Sequence, residues 1–129
     1  MAKSYRELKV WEKSIDLTVL VYELTEGFPR NEVFGLTSQM RRAPVSIASN
    51  IAEGSVRGTR RDFRQFVKVA HGSNCELQTQ MIIAGRLGFG SEENRVKAEL
   101  LSQEIGKMLS GLGQYLTDRI RLEKLKTDH

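Results

Sequence analysis

The sequence predicts an all-α fold, an antiparallel up-and-down four-helix bundle, and three observations predict it. Apolar residues recur at steps of three and four along four segments, the spacing that keeps side chains on one helix face. Each segment is bracketed by capping and helix-breaking residues. Alternating apolar patterns of the strand type are absent, and only Pro29 and Pro44 interrupt the chain of 129 residues.

The first helix is expected from Ser4, whose hydroxyl can cap exposed N–H groups while Glu7, three residues on, completes a capping box. Leu8, Trp11, Ile15, Thr18 or Val19, and Tyr22 form its main apolar stripe, and Gly27 and Pro29 end it. Val10, Leu17, Val21 and Leu24 widen its apolar girth, which points to buried surface beyond a single bundle face. The second helix is expected from near Asn31 to Gly54, with Leu36, Met40, Ala43, Ile47 and Ile51 on one stripe. Pro44 lies inside it, so a kink or two shorter segments are expected. The third is expected from Thr59, with Asp62 completing a second capping box. It carries Phe63, Phe66, Ala70, Leu77, Met81 and Ala84 and ends at Gly88 or Gly90. The fourth follows Ser91, with Glu92 and Glu93 at the positive end of the helix dipole. Leu101, Ile105, Met108, Leu112 and Tyr115 form its stripe, and Gly106, Gly111 and Gly113 read as points of close helix approach. The whole chain, 1–129, reads as one domain with its core over about 5–117 and a charged tail over 118–129.

Composition narrows the function classes. A hydrophobic fraction of 40% with 28% charged residues belongs to a folding chain, not a disordered one. One cysteine, Cys75, excludes an internal disulfide framework and a four-cysteine zinc or iron–sulfur site, and points to a reducing, cytoplasmic setting. The apolar runs 19–22 and 81–84 are far short of the roughly 20 residues that span a bilayer. The opening residues 1–7 lead into a charged helix and not a signal core. There is no phosphate-loop or dinucleotide fingerprint. His71 and Cys75, four apart, are half of a metal site, and the remaining histidine is the terminal His129, so no metal and no cofactor is expected. No nucleophile–base arrangement is evident, and an enzyme is not expected.

The net charge of +4 is unevenly placed. Residues 1–70 hold 12 Lys+Arg against 8 Asp+Glu, whereas residues 71–129 hold 8 of each, so all of the excess is in the first part. Within it Arg57, Arg60, Arg61, Arg64 and Lys68 are opposed only by Asp62. Guanidinium groups make forked hydrogen bonds to phosphate, so this run is the candidate nucleic-acid-binding patch, with Arg41 and Arg42 on the preceding helix as its extension. Without a base-reading motif, the expected recognition is of backbone or shape. The alternative is a solvated or subunit-facing set of cations. Ser46, Asn50 and Glu53, with Ser73, Glu76 and Gln80, make two polar stripes on adjacent helices. They read as a structural hydrogen-bonded layer in preference to a carboxylate site, with Arg42 a candidate counter-charge.

The stretch 39–54, QMRRAPVSIASNIAEG, followed by Arg57, Phe63, Phe66 and the run 70–80, AHGSNCELQTQ, resembles a known family, as does the opening 5–11, YRELKVW. These are the four-helix-bundle proteins encoded in intervening sequences of bacterial 23S rRNA genes, a group related to the accessory variability proteins of diversity-generating retroelements. The resemblance covers about residues 5–117. It implies a small bundle assembling as a ring-like homopentamer, without established catalysis, and related accessory proteins bind nucleic acid and a reverse transcriptase. Five copies would raise the charge to about +20, an attractive field for RNA or DNA. The expected protein is therefore a non-enzymatic, nucleic-acid-associated oligomer; the alternative is a protein-interaction scaffold.

Overall fold

The computed structural model describes residues 4–127. Four helices make up most of it: α1 Lys9–Thr25, α2 Leu36–Ser55, α3 Arg60–Leu87 and α4 Glu92–Thr127, with single 3₁₀ turns at Tyr5–Glu7 and Arg30–Glu32. Among the described residues there is no strand. Each helix packs on its sequence neighbours and α1 packs on α4, so the bundle closes with α1–α3 and α2–α4 as its diagonals. Short connections force this antiparallel order, because a loop of four residues reaches only an adjacent helix end.

The core is a continuous aliphatic column. Leu17, Val21 and Leu24 from α1 meet Met40, Ile47 and Ile51 from α2, Leu77 and Met81 from α3, and Ile105 and Leu109 from α4. All ten side chains are within 1% of complete burial. At about 1.5–3 kcal/mol for each large aliphatic side chain removed from water, this column is the principal stabilising term.

Several expectations are corrected. Ser4 does not open α1: its hydroxyl accepts from the Arg6 N–H at 3.2 Å and caps the 3₁₀ turn, and Leu8, extended at φ −76° and ψ 121°, separates that turn from α1. The expected main stripe of α1 faces the core only at its start, where Leu8 and Trp11 pack against it. Ile15, Val19 and Tyr22 are exposed by 40–53%, while Val10, Leu17, Val21 and Leu24, the additional girth, form the core face. Periodicity locates both stripes but does not choose between them. α2 starts at Leu36 and not near Asn31, because Asn31 belongs to the 3₁₀ turn after Pro29. It then runs unbroken through Pro44, which is buried, so the expected division is absent. The helix loses one backbone donor there, and the stripe on both sides of the proline is buried.

Thr59 caps α3 as expected, its hydroxyl accepting from the Asp62 N–H at 3.1 Å, and Gly88 closes the helix at φ +74°. Residues 118–127 of the expected tail are helical. α4 continues to Thr127 and Ile120 is buried in it. Residues 128 and 129, with His129, lie outside the described residues. Of the three α4 glycines only Gly106 marks a tight approach, where a Cβ would stand 3.2 Å from Asn74 Nδ2; Gly111 faces open space. The closest helix approach is at Gly54, where a Cβ would fall 2.6 Å from Phe66 Cβ.

Candidate nucleic-acid interface

The bundle places the C-terminal end of α2, the start of α3 and the last turns of α4 together. Residues 53–68 and 118–127 carry nine Lys+Arg against four Asp+Glu. Residues 23–32 and 86–95, which meet at the opposite end, carry three against five. The molecule is therefore electrically polar along its axis. Half of this asymmetry was missed by composition, because Arg119, Arg121, Lys124 and Lys126 lie in a segment of balanced charge. Only the continuation of α4, with Glu123 on Arg60, brings their segment to this end of the bundle.

The expected phosphate ligands divide into two groups. Arg57 is paired with Glu53 at 2.5 Å, with its guanidinium 5.1 Å over the Phe66 ring. Arg60 is ion-paired with Glu123 across the α3–α4 interface. Arg41 lies on α2 toward the other end, hydrogen-bonded to Thr25 Oγ1 at 2.8 Å and to Glu26 at 3.4 Å, over the Tyr22 ring. These three are held within the fold. Arg61, Arg64, Lys68 and Arg42 make no ion pair among the described residues. Arg61, Arg64 and Lys68, at steps of three and four, share one face of α3. Arg42 is exposed on α2 and does not act as counter-charge to Glu53 or Glu76.

Local electrostatics favour anions here. A helix N-terminus already carries a positive partial charge, so cations in the first turn are disfavoured by roughly 0.3–1 kcal/mol each. Arg60 and Arg61 occupy that turn of α3, relieved by Asp62 and Glu123. The free cations beside them intensify a field that a phosphate would neutralise.

The polar stripes meet in part. Ser46 and Ser73 hydroxyls are 2.9 Å apart across α2 and α3, and Asn50 donates to the Ser46 carbonyl at 2.8 Å. Glu53 turns to Arg57, and Glu76 accepts from Gln80 within α3 at 3.3 Å, so the two carboxylates form no pair. The fully buried polar contact was not legible in the sequence: Asn74 donates to the Ser102 carbonyl at 2.9 Å and accepts from the Ser102 hydroxyl at 2.7 Å. Asn74 follows Ser73 in the stripe but points into α4. His71 Nε2 stands 3.2 Å from Ser110 Oγ and Nδ1 3.7 Å from Cys75 Sγ. No three His, Cys, Asp or Glu side chains converge among the described residues.

Fold and charge together define a basic-ended, all-α four-helix protein in which none of the described helices is long and apolar enough to cross a membrane. The chain belongs to the 23S rRNA-intervening sequence protein family, whose model matches residues 6–111. No curated protein matches it. Its fold is similar to a crystal structure of a protein of unknown function from the S23 ribosomal protein family of Bacteroides thetaiotaomicron, at a TM-score of 0.73 and 24% identity. That similarity covers 81% of this chain and 95% of the other. The last turns of α4, residues 112–127, lie beyond the matched family stretch.

Proposed function

We propose that the protein is a non-enzymatic, cytoplasmic, oligomeric nucleic-acid-associated protein that holds RNA or DNA by its backbone at the basic end of the bundle. The observation that carries this reading is the set of unpaired cations Arg61, Arg64 and Lys68 on one face of α3, beside the cationic last turns of α4. Phosphate contact supplies most sequence-independent affinity, and it needs free Lys and Arg, not a pocket. Arg57 and Arg60 serve as the ion-paired frame around those free groups, while Arg42, beside Arg41 toward the other end of α2, stands apart from the patch.

The assembly belongs to the same proposal. Ile15, Val19, Tyr22 and Val45 leave an apolar strip on the outer side of α1 and α2. Such a strip is characteristic of a surface that another molecule covers. A ring-like homopentamer, the assembly implied by the resemblance to the intervening-sequence family, would cover it and gather five basic ends. A second reading is favoured by the same strip and by the ion pairing of Arg41, Arg57 and Arg60: a scaffold for a protein partner such as a reverse transcriptase, with no useful nucleic-acid affinity.

The test is fluorescence anisotropy with labelled structured RNA and duplex DNA on the wild type and on the triple variant Arg61→Gln, Arg64→Gln, Lys68→Gln, with mass checked by light scattering. The nucleic-acid reading expects unchanged mass and weaker binding, with the salt slope reduced by about 0.9 per lost phosphate contact on duplex DNA. The scaffold reading expects unchanged or absent nucleic-acid binding and a change in assembly or partner capture.

A further inference from the structure

At the basic end of the bundle, Leu8 just before α1, the end of α2, the α2–α3 connection, the start of α3 and the later turns of α4 line an open cleft of about 760 Å³. Leu8, Phe63, Leu112, Tyr115 and Leu116 form its apolar part beside Ser55, Thr59 and Arg60, and Tyr115 is 49% exposed. The carboxylate in the lining is Glu123, which Arg60 neutralises. Arg119 lies one helical turn from both Tyr115 and Glu123, on the same row of α4, and makes no ion pair among the described residues. Arg6 and Lys9, both exposed, flank Leu8.

We infer that this cleft takes an unpaired base of a nucleic-acid strand, stacked against Tyr115, with a flanking phosphate on Arg119. This rests on the backbone-binding reading above and sharpens it: the preferred substrate is single-stranded or looped, not a continuous duplex. The lining offers a flat apolar surface, which a stacked duplex cannot reach with its bases, and the rim offers positive charge, which an uncharged apolar ligand would leave unused. An unstacked nucleotide uses both, the combination by which single strands are held on aromatic side chains beside basic grooves.

The experiment compares a labelled single-stranded 12-mer RNA with a fully paired duplex of the same length, on wild type, Tyr115→Ala and Tyr115→Phe. Mass and melting temperature are followed for each. The inference expects Tyr115→Ala to lose about tenfold in single-strand affinity, with duplex affinity and mass unchanged, and Tyr115→Phe to retain wild-type binding because the ring is kept. Equal losses on both ligands, or no loss on the single strand, would overturn it while leaving backbone binding standing. A change of mass in Tyr115→Ala would assign the cleft to a subunit contact and overturn it as well. Absence of wild-type binding to either ligand would overturn the backbone reading and this inference together.

Discussion

Arg60, the first residue of α3, is ion-paired with Glu123, near the end of α4. This contact fixes the last turns of the longest helix against the start of its neighbour. At 1.5 Å per residue α4 is about 54 Å long, roughly twice the length of α1, and the ion pair ties its last turns to α3. The ion pair is partly exposed and by itself contributes about 0–1 kcal/mol. Its consequence is spatial: four further cations stand at the basic end instead of on a free tail.

Truncation after Thr117 is therefore expected to do more than remove charge. Ile120 leaves the core, at a cost of about 1.5–3 kcal/mol, and Arg119, Arg121, Lys124 and Lys126 leave the basic end. Urea unfolding should show the lowered midpoint, and anisotropy should show weaker RNA binding. A truncated chain as stable as the wild type would contradict the docked helix end.

Asn74 and Ser102 form the buried polar clasp between α3 and α4. Replacing Asn74 by Ala strands the Ser102 hydroxyl in the core, at an expected cost of about 1–3 kcal/mol. The double variant Asn74→Ala, Ser102→Ala should cost less than the sum of the single changes, because no buried hydroxyl remains. Denaturant melts of the three variants measure both quantities.

Gly54 is required for space, not for backbone conformation. An alanine Cβ would stand 2.6 Å from Phe66 Cβ and 3.0 Å from Phe63 Cδ1. Gly54→Ala should destabilise by about 1–3 kcal/mol despite its better helix propensity. Gly111→Ala, which meets open space, should be neutral or stabilising. Thermal melts of the two variants give opposite signs if this is correct.

Lys13 of α1 reaches Glu104 of α4 at 2.9 Å, and the hydrogen bond and then the charge of that carboxylate hold its ammonium above the usual 10.5. A raised lysine contributes stability that is fully present below about pH 10.5 and is lost as pH rises through the folded value. Lys13→Met should narrow the difference from wild type on alkaline titration of the melting temperature, with the two curves converging above that range. Parallel curves would show that the pair contributes nothing.

How far the sequence could be read depended on whether local chemistry had a competitor. Thr59 with Asp62 and Gly88 fixed α3 at both ends because capping is a local event. Ser4 failed as the cap of α1 because Leu8 takes an extended conformation and packs against the core. The two stripes of α1 were both visible, but their assignment depends on neighbouring helices and is not local. Pro44 was expected to kink or divide α2, and the helix runs undivided through it, with the proline itself buried. In the candidate interface, the α3 cations were legible as a run of like charge. The separation of Arg57 and Arg60 from Arg61, Arg64 and Lys68 was not, because their partners Glu53 and Glu123 are selected by packing. The α4 cations were hidden in a segment of zero net charge.

The central claim is that the basic end holds nucleic acid through its phosphates, and the most direct measurement is wild-type affinity for duplex DNA across a salt series. The account predicts a straight fall of log affinity with log salt, with a slope of about −0.9 for each phosphate neutralised. A slope near zero, or no binding at low salt, would contradict it.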